Sequence, residues 1–259
     1  MQKRVQMALP VLLVVLAGVV AWQVLRLQEP VYQGKGLSFW LESGYEAASW
    51  GRQGECQLAE QAIRHMGTNA LPILIERLRA HETPLKRLLM TWANKQKRVR
   101  FHFKSADQRR YEAVRGCEAL GPMAGAQVAG LSDILVSDPS PNIRYSAANV
   151  LGFIGPAAKL AAPILLRATR DSDDVVRASA LWALGRILPD AQLTVPALVA
   201  FLDDPFDDVK QNAAIALGNY GVAARAAVPA LLRTLATNGA SGIALKQIDP
   251  EAAAKAGVQ

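Results

Sequence analysis

The sequence predicts an all-α fold: a solenoid of stacked helix pairs preceded by one N-terminal transmembrane helix. Three observations point there. Asp138, Asp171 and Asp204 stand 33 residues apart, and Arg144, Arg177 and Lys210 keep that interval, as do Gly152, Gly185 and Gly218 and Pro163, Pro196 and Pro229. Such a period marks an array whose units bury their apolar faces only against neighbours. Near the amino terminus, "MALPVLLVVLAGVVAWQVL" runs from Met7 to Leu25 without a charge. Finally, 51% of the 259 residues are hydrophobic, enough for one sizeable core or an extended array.

The elements follow in chain order. Lys3 and Arg4 precede the apolar run and Arg26 closes it. Nineteen residues at about 1.5 Å each reach roughly the thickness of a bilayer core. Trp22 lies where an interfacial aromatic is favoured, and the basic start favours a cytoplasmic N-terminus with the remainder on the exported, periplasmic side. Residues 1–27 are therefore expected to be a membrane anchor. Val19-Val20-Ala21 keeps a cleaved signal peptide, and secretion, as the alternative. The link over residues 26–36 extends at most about 3.5 Å per residue, which holds the array near the membrane surface.

Residues 28–53 are expected to hold the linker and the start of an N-terminal cap, built from "GKGLSFWLESG" and continued by "GECQLAEQAIRHMG". The solenoid is expected over 54–248, with a basic insertion at 81–106 and a frayed tail over 249–259. In each unit the first helix opens near a proline, as in "AAPILLRAT", "TVPALVAFL" and "AVPALLRTL". Proline suits the first turn because its missing N–H has no intrahelical partner there. Aspartates then mark a turn, where a carboxylate can cap exposed N–H groups. The second helix, such as "VVRASALWALGRI", carries Val176, Ala180, Leu184 and Ile187 on one face. Small residues such as Ala147, Ala180 and Ala213 allow close helix approach, and Gly155 and Gly221 suit helix ends that need a left-handed residue.

A proline eight residues before an aspartate, which itself lies six before an Arg or Lys, resembles HEAT repeats, including the short bacterial HEAT-like or PBS-lyase-type form. The resemblance covers roughly 105–237. It implies a right-handed α-solenoid in which Asp138, Asp171 and Asp204 with Arg144, Arg177 and Lys210 form a structural ladder between units. It also implies that the second helices line a concave face. Upstream, "RYEAVRGCEALGPMAG" from Arg110 matches "RYSAANVLGFIGPAAK" from Arg144 at an offset of 34, and Ala129 stands where proline would fall. In the last unit Thr237 takes the aspartate position.

The net charge of +7 is local: nine Lys or Arg against Asp107 lie between Lys86 and Arg110. Within it, "KQKRVRFHFK" alternates bases with Val99, Phe101 and Phe103. Lys95, Lys97, Arg98, Arg100 and Lys104 could contact anions or lipid headgroups. Alternatively, period two sends the apolar residues inward and leaves the bases solvated.

No reactive constellation emerges. His65, His81 and His102 lack metal-ligand spacing, and GxSxG, Walker and GxGxxG motifs are missing. Asp203, Asp204, Asp207 and Asp208 lack the glycine and closing glutamate of an EF-hand loop. Cys56 and Cys117 belong to no metal or redox motif and read as buried helix residues or, after export, a single bridge. No metal, cofactor or catalytic activity is expected. What varies between units is the i, i+4, i+8 stripe of each second helix: Tyr111 and Arg115; Tyr145, Asn149 and Phe153; Trp182 and Arg186; Ile215. Trp, Tyr and Arg are enriched at binding hot spots, although Phe153 and Trp182 could simply wedge between helices. The expected function is a membrane-tethered, non-catalytic scaffold for a protein partner, with nucleic acid unlikely to be met. The alternatives are an accessory or lyase-like repeat protein binding a small molecule, or a lipid binder acting through the basic segment.

Overall fold

Proline inside the first turn and glycine past the last one punctuate this chain into short helices. The computed structural model describes residues 28–83, 88 and 104–258. The expected anchor, and nearly all of the basic segment between Thr83 and Lys104, lie outside the described residues. The described chain opens with a hairpin of β1 (Val31–Tyr32) and β2 (Lys35–Gly36), Val31 facing Gly36. Its turn has positive φ at both Gln33 and Gly34, the geometry that two-residue hairpins need. Among the described residues six helix pairs follow. They are α1 (Leu37–Ser49) with α2 (Gln53–Met66), α3 (Leu71–Leu78) with α4 (Ala106–Leu120), and α5 (Val128–Ser137) with α6 (Pro141–Ile154). Then come α7 (Ala162–Ala168) with α8 (Asp174–Ile187), α9 (Ala191–Val199) with α10 (Asp207–Asn219), and α11 (Val228–Thr234) with α12 (Gly239–Ile248).

Most units meet through a 3-10 turn, at Gly67–Ala70, Gly121–Gln127, Gly155–Ala161 and Gly221–Ala227. The opening glycine of each has positive φ, 69° at Gly155 and 54° at Gly221. At Gly155, ψ is −143°, so the residue is mirror-image extended rather than left-handed helical, a region open essentially to glycine alone. One junction differs. Leu188 takes a left-handed conformation, Asp190 caps α9 by accepting from Gln192 N, and the helix starts a turn early. Pro196 therefore falls inside α9, whereas Pro72, Pro163 and Pro229 open their helices as expected. The tail also differs from expectation. Asp249 accepts from Ala252 N and Pro250 begins α13 (Pro250–Lys255), which buries Ala253. Asp followed by Pro is a helix start, and it wins over the weak apolar pattern of this stretch.

The core is one continuous apolar layer between first and second helices, and Val176, Ala180, Leu184 and Ile187 are fully buried in it. Successive second helices pack closest. A Cβ placed on Gly185 would lie 2.6 Å from the Cα of Ala216, and one on Gly218 would lie 3.2 Å from the Cα of Ala244. One on Gly152 would lie 3.1 Å from the Cα of Ala183 and would strike the Trp182 ring. The 33-residue glycine column is therefore a line of backbone-to-backbone contact. Ala106–Ser137 and Pro141–Ala168 are apolar and long enough to resemble membrane spans. Each is the second helix of one pair and the first helix of the next, broken at a 3-10 turn, with its apolar face committed to this core.

The Asp–Arg ladder forms between two junctions and fades beyond them. Arg144 holds Asp171 in a fork, Nη2 to Oδ1 at 2.7 Å and Nε to Oδ2 at 2.9 Å, and donates Nη1 to the carbonyl of Asp138 at 3.0 Å. Arg177 repeats the backbone contact on Asp171 at 3.1 Å but meets Asp204 at only 3.5 Å. Lys210 turns to Asp207 of its own helix at 2.8 Å, since Thr237 offers no carboxylate. Upstream, Arg110 is held by Asp107 and the carbonyl of Ala80, while Asp138 faces His81 at 3.9 Å. Each ladder aspartate also accepts from the backbone N–H two residues on, at Ser140, Asp173 and Phe206. In the last unit Asn238, one position late, takes that turn role and donates Nδ2 to the carbonyl of Lys210.

Helix propensity favours alanine over glycine by about 1 kcal/mol. Gly185→Ala is nevertheless expected to lower the thermal midpoint, because overpacking a filled contact costs about 1–3 kcal/mol. Gly130→Ala, with only Gln127 Oε1 nearby at 3.8 Å, should raise it. For the ladder, burial opposes ionisation of Asp171, yet the Arg144 fork and the Asp173 amide outweigh it and hold its carboxyl below the usual value. A depressed folded value gives stability that is complete above the unfolded value near pH 4 and lost as pH falls through the folded one. Asp171→Asn keeps the turn acceptor but loses the fork. It should cost about 1–2 kcal/mol at neutral pH by urea unfolding, with the difference from the parent closing in acid.

Candidate functional site

The stripe positions of three second helices do converge. Residues at i, i+4 and i+8 of a helix share a face, and parallel stacking of α4, α6 and α8 sets those faces side by side. Tyr111 and Arg115 from α4, Tyr145, Asn149 and Phe153 from α6 and Trp182 from α8 line one open groove of about 600 Å³. Tyr111 and Tyr145 are exposed at 48% and 38%, a cost that the core does not require of them. Phe153 and Trp182 meet edge to face at 5.0 Å, and the Arg186 guanidinium lies 5.6 Å from the Trp182 ring. Trp182 covers Gly152 of the preceding helix, so one ring both locks the α6–α8 contact and walls the groove. Arg186 and Ile215 lie outside the groove lining. Ile215 stands exposed on α10, where the neighbouring Asn219 is engaged with the carbonyl of Gly185 at 3.1 Å.

The groove continues over the cap. Tyr45 of α1 meets Tyr111 edge to face at 5.6 Å, and Tyr45, Ala48 and Ser49 face Asp107 and Gln108 across a second hollow. Sequence reasoning missed Tyr45 because α1 carries no repeat register; its available signal was the aromatic-rich run "FWLESGY". The cations in this trough are already held. Arg115 reaches Glu60 at 3.2 Å and pairs with Glu118, and Arg110 pairs with Asp107. What remains free is aromatic surface edged by hydroxyl and amide groups, suited to binding an apolar or aromatic segment.

Beneath the trough lies a buried charge cluster. Glu112 is fully buried, with Arg77 Nη1 at 3.0 Å on one oxygen and Lys104 Nζ at 3.0 Å on the other. Arg77 also donates to Ser38 Oγ, which donates to Glu29, while Lys104 reaches Glu42 at 3.3 Å. The cluster ties the hairpin and α1 to α3 and α4. In the equivalent place the next unit has Ser146, whose hydroxyl only returns to the carbonyl of Asn142. Lys104, expected as an anion contact, is thus held by two carboxylates. Lys95, Lys97, Arg98 and Arg100 lie outside the described residues.

Both thiols are free. Burial pushes the Cys117 thiol up to about 12, so it stays protonated, and Cys56 points its sulfur at the carbonyl of Gly44 at 3.8 Å. Among the described residues no cluster of His, Cys, Asp or Glu could hold a metal ion. The groove brings together neither a nucleophile and base nor a pair of free carboxylates.

The family model for HEAT repeats matches residues 104–185. Among solved structures, an engineered protein from a structural genomics consortium is similar, with 16% identity and a TM-score of 0.37 over 77% of this chain and 87% of that one. No curated protein matches the sequence.

Glu112→Gln leaves two cations facing a neutral amide in a buried place, and breaking such a pair costs about 3–5 kcal/mol. Limited proteolysis on a temperature ramp should then cut within residues 28–49 well before the array opens, whereas the parent should lose cap and array together.

Proposed function

We propose that this chain, which matches the family model for HEAT repeats over residues 104–185, is a membrane-tethered, non-catalytic scaffold whose second-helix groove binds a protein partner. Repeat arrays offer extended surfaces with binding residues outside the repeated core. One observation carries the reading: six residues selected by their departure from the repeat line one groove. Their chemistry suits an extended or helical segment bearing apolar and aromatic side chains, packed on Tyr111, Tyr145 and Trp182. Asn149 supplies a hydrogen bond for register. Hot-spot aromatics gain affinity through packed, water-excluded contact, and those charges already paired within the groove contribute little beyond shape. The tether rests on the uncharged run from Met7 to Leu25 flanked by Arg4 and Arg26.

A photo-crosslinking residue at Tyr145 should capture one reproducible partner in cells, while the same residue at Arg167 on α7 should not. Tyr145→Ala should weaken that partner by about 2 kcal/mol, roughly thirty-fold in Kd, with an unchanged unfolding midpoint. Capture at both sites, or an unchanged Kd, overturns the groove reading. For the tether, alkaline carbonate washing should leave the full chain in the membrane pellet; its release would overturn that part.

A further inference from the structure

We infer that the edge of the array formed by the turns between units lies on the lipid bilayer, with the opposite, acidic edge facing away. The inference rests on the tether reading and adds which side of the solenoid meets lipid.

Every second helix ends, and every following first helix begins, on one edge. The turns there touch in succession, 67–70 against 121–127, that against 155–161, and α9 against 221–227. Their sequences are "GTNA", "GPMAGAQ", "GPAAKLA", "LPD" and "GVAARAA", which hold only Lys159, Asp190 and Arg225 as charges. Leu160 is 89% exposed, Leu193 in the first turn of α9 is 69% exposed and Val222 is 73% exposed. Such side chains do not support the fold from where they stand. A row of them on one edge, with Lys159 between and Arg225 paired to Asp249 at 3.6 Å, fits the boundary between lipid headgroups and acyl chains.

The other edge, where each first helix turns into its second, carries Asp138, the Asp171–Asp174 group and the Asp203–Asp208 group. Arg144, Arg177, Lys210 and Arg233 pair with four of those carboxylates, which keeps this edge polar and hydrated. The chain also arrives on the apolar side. Glu29 accepts from Ser38 N at 3.0 Å and Pro30 from Leu37 N at 3.0 Å, which pins residues 29–30 at the start of α1. Tyr32 stacks on His65 at 4.8 Å, one residue before α2 ends and the 67–70 turn begins. Val31, 64% exposed, continues the row. Between Leu25, the last residue of the apolar run, and Glu29 the chain reaches at most about 14 Å at about 3.5 Å per step. That reach bounds how far the arrival point can stand from the membrane surface.

The test uses the full chain, with Cys56→Ser, reconstituted in vesicles of phosphatidylcholine and phosphatidylglycerol. Nitroxide labels are placed through Leu160→Cys, Leu193→Cys or Asp203→Cys. Flotation of the vesicles reports the tether; access of oxygen and of a nickel chelate to the label reports the edge. The expected result is oxygen-favoured access at 160 and 193 and nickel-favoured access at 203. Adding Leu193→Glu and Val222→Glu should return the label at 160 to aqueous access while flotation persists. Floating protein with nickel-favoured labels at 160 and 193 overturns the inference and leaves the tether standing. Labels closed to both relaxants would mean a second protein copy on this edge and would also overturn it. Protein that does not float removes the tether, and the inference with it.

Discussion

The contact on which the rest of this structure depends is the approach of one second helix to the next, where Gly152, Gly185 and Gly218 leave no room for a side chain against Ala183, Ala216 and Ala244. Backbones this close fix the distance between units. That distance decides whether a guanidinium on one unit can reach a carboxylate on the next, and whether stripe residues on separate helices form one surface. A bulkier residue in the column would separate the helices, and groove and ladder would be lost together. The periodic sequence is thus a spacing rule before it is a charge pattern.

The ladder is subordinate to that rule. Arg144 grips Asp171 with both nitrogens and also holds a carbonyl in its own unit, so it is satisfied without leaving a cation bare in a partly buried place. The same residue types one unit later make a longer, single contact. Where the array begins, the cluster around Glu112 does what the ladder does elsewhere. It collects two cations on one buried carboxylate and fastens the irregular cap to the regular stack. A buried acid in a second helix looks like an error against the repeat, and it is the joint between two kinds of architecture.

Most of the fold was legible because a period of 33 forces helix pairs, turns and core faces into register, and Val176, Ala180, Leu184 and Ile187 are buried as that register required. The groove residues from Tyr111 to Trp182 were found by the same logic, as departures from it. What escaped were local choices that no period reveals. Asp190 starts α9 early and strands Pro196 inside a helix. Asn238 takes over a turn one residue late, and Asp249 with Pro250 builds α13 from a stretch that read as a tail. Tyr45 and the Glu112 cluster escaped for another reason: they depend on tertiary contact between the cap and the array, and neither sits in a repeated column.

The uneven ladder has a mechanical consequence. Forked ion pair, single ion pair and no ion pair follow one another across the junctions led by Arg144, Arg177 and Lys210. In a one-dimensional stack each interface acts as a separate spring, and the softest springs bend first. By this measure the α6–α8 junction, where Trp182 walls the groove, is the stiffest of the three. A partner held on α6 and α8 would have its firmest footing there, and the later junctions would yield first under load.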